Sequence, residues 1–506
     1  MNTTMILTFL WLAPLSLGLL FLGVPASQKS VFHQVSLVFS ILYLVLVGLL
    51  YPSVQGLGQL QVAYSWIPDF GVCYALKLDG LSYALIALSA LLNLLVVIIS
   101  PQWILQKIKS YYVYLFALLA TMVGALLASD MILFYIFWEA MLLPMALLIG
   151  VFGSEKRIYA AIKFFLYTML GGLSMLVAII GTAYAVYGQT GVLSFAYDAF
   201  LQFPKSSGWA LGFFILMTLA FFVKVPLFPL YTWLPDAHTE APAGGSVILA
   251  GVLLKLGIYG LLRFALPIYS NIYLQTAQVW VLLAVVGIVW GGLLAWAQND
   301  VKRLVACSSV SHMGFIVLGL FSGSLLALRG GLFQMIAHGL STGALFFMIG
   351  MMYARTHSRK MDTYGGLAKL APEFSFFFIF FALASAGLPG LAGFIGEFLV
   401  LLGSFALHPW LSTLAASGVL LAAIYLLNMV QRVFYGPAPE GLHFPDLSWR
   451  ERVVVWPLLI LIVVLGVFPQ PVLNIFDRVI DQSQHYLWNS HDSSFGCKPA
   501  VEKGLA

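Results

Sequence analysis

The chain has 506 residues, of which 61% are hydrophobic and only 8% charged, against about 25% charged in a soluble globular domain. With a mean hydropathy of +0.98 it cannot cover a soluble surface of this size and reads as a polytopic membrane protein. The net charge of +5 comes with no basic run that could hold phosphate. The three cysteines, Cys73, Cys307 and Cys497, lie far apart with no CxxC pair, which argues against an iron–sulfur, zinc or disulfide framework.

A membrane-crossing helix needs roughly 20 apolar residues, and that ruler gives about fourteen spans. In chain order they lie near 4–23, 31–51, 80–100, 111–129, 131–152, 164–187, 209–228, 241–264, 277–297, 301–322, 329–354, 374–403, 411–431 and 453–474. No positive charge precedes the first, since the first lysine is Lys29, so it reads as a retained helix rather than a cleavable signal. An external loop, roughly 52–78, leads into Asp79-Gly80-Leu81-Ser82. From about 475 a polar tail with Asp477, Arg478, Asp481, Asp492, Lys498, Glu502 and Lys503 is expected to be partly flexible.

Loop charges support this count. The loops after odd-numbered spans hold Lys29, Lys107, Lys109, Lys156, Arg157, Lys302, Arg303, Arg355, Arg359, Lys360, Lys369, Arg432, Arg450 and Arg452. The alternate loops hold only Lys77, Lys205, Arg263 and Arg329. Positive charge stays on the cytoplasmic side, which places the odd loops there and both termini outside.

Ionisable groups inside spans are costly, at least about 2.5–3.5 kcal/mol each at the bilayer centre. Six lie far from any span end: Glu139, Lys224, Lys255, His312, His338 and Glu397. They form either structural pairs that fix helix packing or a proton path through the membrane interior. His312, flanked by Ser308, Ser309 and Ser311, is equally readable as a hydrogen-bonded packing residue.

Two of these charges sit beside helix breakers. Lys224 precedes Val225-Pro226 and Pro229, and proline inside a helix removes a backbone bond and breaks it. Lys224 should therefore end a half-helix, where a cation meets the negative end of the dipole. Glu397 follows Leu388-Pro389-Gly390 within a long apolar stretch. Spans seven and twelve thus carry one break and one charge each, five spans apart, which implies inverted repeats of the transporter kind. The expected organisation is N-terminal helices and external loop over 1–110, a first repeat over 111–264, a second over 277–431, and a last helix with polar tail over 432–506. Overall the expected class is an all-α polytopic membrane protein.

Other patterns are weaker. Gly171-Gly172, Gly244-Gly245 and Gly330-Gly331 read as close helix packing, since none opens a βαβ nucleotide loop. The phenylalanine run 376–381 reads as lipid-facing or packed helix. Asp236, His238 and Glu240 lie in a segment read as a compact turn capping the next helix, with a metal site as the lesser reading.

The segment Trp233-Leu-Pro-Asp-Ala-His-Thr-Glu-Ala-Pro242 after Lys224-Val-Pro226, and Gly245-Ser-Val-Ile-Leu-Ala-Gly-Val-Leu-Leu-Lys-Leu-Gly257, resemble the antiporter-like subunits of respiratory complex I. Trp138-Glu139, Ser309-Val-Ser-His-Met-Gly314, His338-Gly-Leu340 and Gly396-Glu-Phe398 support the resemblance, which runs from Asp79 to about 436. Glu397, where paralogues tend to carry lysine, looks like the M-type (chain 4) branch, and the chain leaves no room for the long lateral helix of the L-type. The resemblance implies a proton-translocating subunit driven by quinone reduction elsewhere in the complex. It implies no cofactor on this chain, with quinone, flavin and iron–sulfur clusters on other subunits. By the same resemblance Glu139 and Lys224 look like an interacting pair, Lys255 a central relay and Glu397 the terminal residue, with His312 and His338 between them. Expected partners are other membrane subunits, including neighbouring antiporter-like ones, and lipid; no nucleic acid is expected. The setting is a bacterial inner membrane or cyanobacterial thylakoid. Two rivals remain open. One is a subunit of a related complex (ferredoxin-dependent, membrane-bound hydrogenase or multi-subunit Na⁺/H⁺ antiporter); the other is an inert scaffold.

Overall fold

The computed structural model describes residues 3–204 and 207–487, the last six as backbone only. Lys205, Asp492, Cys497, Lys498, Glu502 and Lys503, which figure in the sequence reading, lie outside the described residues.

Helices α1 (Thr3–Gly23), α2 (Lys29–Leu49) and α3 (Tyr51–Leu57) lead into an antiparallel hairpin of β1 (Gln59–Ile67) and β2 (Val72–Asp79), paired from Gln59↔Asp79 to Ser65↔Cys73. The external loop is thus a short helix and a hairpin, so the helical class carries one small sheet. The hairpin hands the chain to α4 (Gly80–Trp103) through a capping box. Asp79 accepts from Ser82 N–H while Ser82 Oγ accepts from Asp79 N–H, a reciprocal satisfaction of orphan helix donors. After α5 (Ile108–Leu127), Asp130 caps α6 (Met131–Ala140) by accepting from Ile132 and Leu133 N–H and also takes Cys73 N–H, tying the hairpin to the bundle.

Next come α7 (Leu142–Phe152), the long α8 (Arg157–Thr190), α9 (Tyr197–Phe200), α10 (Ala210–Lys224), α11 (Trp233–Glu240), α12 (Ala243–Ile248), α13 (Leu254–Gly260) and α14 (Leu266–Ile268). Two π-helical turns, Leu249–Leu253 and Leu261–Ala265, flank α13. The second half holds α15 (Ser270–Trp296), α16 (Val301–Phe321), α17 (Leu325–Thr356), α18 (Leu367–Leu370), α19 (Pro372–Ser385), α20 (Ala392–Phe405), α21 (Pro409–Phe434), α22 (Trp449–Val467) and α23 (Gln470–Leu487).

Burial separates a centre from a rim. The apolar windows of Ala243–Ile268, α16 and α17 are wholly buried, whereas only about a third of that in α1 is. The central helices carry the small and polar residues, and the rim exposes leucine, valine and phenylalanine as a lipid-facing surface must.

Eleven helices among the described residues are long and apolar enough to cross a membrane, or twelve if the bent pair α22–α23 is one span. Reaching fourteen requires counting α10–α11 and α19–α20 as one crossing each, because α10, α19 and α20 are shorter apolar pieces. The breaks fall where the prolines place them. Helix α10 ends at Lys224. Between α19 and α20 the chain turns through Gly387 (φ +77°) and Gly390 (φ +89°), left-handed conformations that glycine adopts without a Cβ penalty. The last expected span differs. Apolar helix stops at Val467, and past Pro469 and Pro471 the chain bends by 68° into α23, so residues expected to begin a flexible tail are helical up to Leu487. Phe476, Val479 and Ile480 are buried there, and Asp477 pairs with Arg329 at 2.5 Å. In α19, Phe377, Phe378 and Phe381 are buried while Phe376 is exposed, the mixed lipid-and-packing face expected.

Candidate functional site

Lys224 ends α10, and its ammonium lies 4.7 Å above the Trp138 ring. Glu139 stands next to Trp138 in the last turn of α6. The two charges are within electrostatic reach, yet they form no direct ion pair, and both Lys224 Nζ and Glu139 Oε1 are buried without a hydrogen-bond partner. Orphaned charged atoms are expensive in a low dielectric, so each depends on the field of the other. Glycine makes room for this: a Cβ at Gly172 would fall on Glu139 Oε1.

Lys255 is fully buried in α13 between the two π-helical turns, and such turns concentrate at functional sites. Its ammonium donates to the Ala250 carbonyl at 2.5 Å and lies 2.7 Å from His338 Nδ1. The His338 ring is 5.4 Å, centre to centre, from that of His312. His312 Nδ1 lies 2.7 Å from Glu397 Oε1, and its Nε2 3.4 Å from Ser385 Oγ. Gln334 Nε2 also donates to Glu397 Oε1, at 2.9 Å. Its carboxylate borders a cavity of about 460 Å³ lined by Gly387, Phe394, Thr413 and Ser417.

Five of the six residues singled out in the sequence are buried, and Glu139 is half-buried with its Oε1 enclosed. Four of them, Lys255, His338, His312 and Glu397, stand in consecutive contact across α13, α17, α16 and α20. Glu139 and Lys224 make a separate pair. Helices α10 and α13 touch where Gly257 approaches the Phe221 carbonyl. His312 does not bond to the serines beside it: Ser308 and Ser309 both donate back to the Val305 carbonyl.

The segment after Lys224 is the main correction. Residues 233–240 form helix α11 rather than a capping turn, and its three polar residues diverge. Asp236 pairs with Lys163 at 2.7 Å and Arg303 at 2.9 Å, and Glu240 accepts the Lys156 N–H at 2.9 Å. No group of three metal-ligating side chains occurs among the described residues. His238 points inward, fully buried, stacked on Phe346 at 4.8 Å, with neither ring nitrogen bonded. It lies within electrostatic reach of both Lys255 and Lys302. Lys302, itself buried at the start of α16, donates to the Ala241 carbonyl at 2.5 Å. The sequence reading took His238 only as part of a capping turn or lesser metal site and counted Lys302 among the loop charges. A usable signal was present, because Leu234, His238 and Ala241 share one helical face.

Lysine, histidine and glutamate can each take up and release a proton, and at hydrogen-bonding distance, as Lys255–His338 and His312–Glu397 are, they can pass one along. Proton-bearing groups held inside a bundle whose helices break where the charges sit are the equipment of an antiporter-like membrane subunit. Residues 128–424 match the family described as NADH:quinone oxidoreductase/Mrp antiporter, TM. The NADH-quinone oxidoreductase subunit M of Pseudomonas aeruginosa is 44% identical over 438 residues, 85% of each chain. A chain of respiratory complex I from Thermus thermophilus superposes with a TM-score of 0.86 at 31% identity, covering 95% of this chain and 99% of that one. A chain of the Mrp complex from Dietzia sp., at 20% identity and a TM-score of 0.85 over 97% and 98% of the two chains, shares the fold. The chain belongs to the NADH:quinone oxidoreductase/Mrp antiporter family, on its subunit M branch: a multi-pass, antiporter-like membrane subunit of a multi-subunit NADH-quinone oxidoreductase.

Proposed function

We propose that this subunit carries protons along the buried line Lys255–His338–His312–Glu397, driven by quinone reduction on other subunits, with Glu139 and Lys224 as the charge pair that gates it. The observation that carries this reading is the row of side chains from the Lys255 ammonium to the Glu397 carboxylate, hydrogen-bonded at both ends and joined in the middle by the 5.4 Å approach of the His338 and His312 rings. With His338 Nδ1 accepting from Lys255, the neutral ring bears its proton on Nε2, an atom that is buried and unbonded and so free to donate onward. His312, once protonated, hands its Nδ1 proton to Glu397 Oε1, which releases it toward the adjoining cavity.

Uptake runs from the Lys- and Arg-rich end through Lys302 and His238 to Lys255, and the bias of the loop charges supports a cytoplasmic setting for that end. No redox centre is assigned to this chain; flavin, iron–sulfur clusters and quinone belong to its partners. The test is His338→Ala in the assembled complex, reconstituted in vesicles. Quinone reduction should persist in part while protons moved per electron fall; an unchanged ratio would reject the line.

A further inference from the structure

Five threonines are buried among the described residues. Four of them, Thr168, Thr182, Thr218 and Thr239, stand in helices and donate to the carbonyl four residues back, at 2.6–2.7 Å. That carbonyl is the ordinary acceptor for a threonine hydroxyl within a helix. Thr342 departs from the pattern. It lies in the middle of α17, fully buried, and its Oγ1 bonds neither to the His338 carbonyl four residues back nor to any other group. A buried hydroxyl that leaves its own helix's acceptor unused is costly.

The column of side chains around it gives that hydroxyl a use. Residues four apart on a helix are side-chain neighbours, so His338, Thr342 and Phe346 share one face of α17. His338 meets the Lys255 ammonium through Nδ1. Phe346 carries the His238 ring, stacked at 4.8 Å with the two planes 2° apart. Thr342 therefore stands between His238 and the Lys255–His338 pair, and His238 is within electrostatic reach of both members of that pair. Neither nitrogen of His238 has a hydrogen-bond partner among the described residues, so no direct bond joins it to Lys255. A hydroxyl can donate and accept at once, which is what this gap requires.

We propose that the Thr342 hydroxyl is the relay between His238 and Lys255. Its oxygen accepts the proton of the protonated His238 ring while its own proton passes to the Lys255 amine, left neutral after giving its proton to the line. The hydroxyl is restored, His238 ends neutral and Lys255 ends as the ammonium. This rests on the uptake route proposed above and adds the group that joins its two parts.

The test compares two variants in the assembled complex, reconstituted in vesicles. Thr342→Val keeps the branched shape and removes the hydroxyl, whereas Thr342→Ser keeps the hydroxyl and removes the methyl. Thr342→Val should lower coupled proton uptake about tenfold, and Thr342→Ser should retain most of it. Thr342→Val should not lower the Tm of the complex, because an unpaired buried hydroxyl adds nothing to stability. A packing role gives the opposite order, with the valine variant near wild type and the serine variant impaired. That order, or equal uptake in the two variants, overturns the proposal. His338→Ala is measured alongside. If it loses pumping while Thr342→Val pumps as wild type, the hydroxyl relay fails and the line stands; if neither loses pumping, the line fails and the relay with it. Should Thr342→Val not assemble, Thr342→Ala takes its place, and uptake in Thr342→Ser no higher than in Thr342→Ala overturns the proposal.

Discussion

His312 Nδ1 and Glu397 Oε1 lie 2.7 Å apart, although 85 residues of chain separate them. One sits in mid-helix on α16, the other on α20 just past the glycine-rich break. Buried groups so disposed form either a fixed ion pair or a proton hand-over point, and the two readings part on a single substitution. Glu397→Ala or Glu397→Gln should lower proton pumping by about tenfold, the effect of ~1.4 kcal/mol on a barrier. Glu397→Lys should retain a substantial part, because a lysine can also titrate and a neutral His312 offers it a lone pair. A lysine variant less stable than the alanine one, in membranes matched for complex content, favours the fixed pair, since two cations would then be buried together.

Glu139→Gln should leave the complex assembled and depress pumping coupled to quinone reduction by about tenfold or more. Among the described residues the carboxylate is the charge that acts on Lys224, whose ammonium has no hydrogen bond of its own. Gly172→Ala should act in the same direction without altering any ionisable group, because its methyl occupies the place of Glu139 Oε1. Wild-type pumping in an assembled Glu139→Gln complex would remove the pair from the mechanism.

His238→Gln should slow proton uptake while sparing assembly, since the ring bonds to nothing that holds the fold. Proton uptake measured from the Lys- and Arg-rich side, compared with quinone turnover, checks this. Equal loss of assembly and uptake would assign the residue to packing on Phe346.

Orientation is open to a direct probe. Asn299 is exposed beside Asp362 and Arg432 at the Lys- and Arg-rich end. With Cys73, Cys307 and Cys497 replaced, a cysteine at position 299 should resist an impermeant thiol reagent added from the periplasmic or lumenal side. It should react from the opposite side. Ready labelling from outside would reverse the topology.

Asp79, at the foot of the hairpin, pairs with Arg263. Burial alone would raise its carboxyl, but the Arg263 guanidinium outweighs burial and, with Lys77 and the Ser82 N–H, holds it below the usual carboxylate range. A depressed carboxylate contributes stability that is complete above its unfolded value, about 3.9, and is lost as pH falls through the lower folded value. Asp79→Asn strands a buried cation and should cost about 3–5 kcal/mol, read as a lower Tm of the complex. The difference from wild type should be constant from about pH 5 to 8 and shrink in stronger acid. A pH-independent difference would assign the loss to the cap alone.

The sequence by itself determined the membrane class, the places where helices break and the set of buried charges, because each follows from local physics. Too few charges cover no soluble surface, proline cannot continue a helix past Lys224, and an ionisable group in an apolar run is conspicuous wherever the run packs. It could not decide which of those charges meet. Lys255 reaches His338, and His312 reaches Glu397, only through the packing of helices distant in sequence, and hydropathy carries no record of that packing. The hairpin at 59–79 and the bend after Val467 likewise depended on neighbours. A short polar segment has no strong periodicity of its own, and what buries it is decided by the helices it happens to lie between.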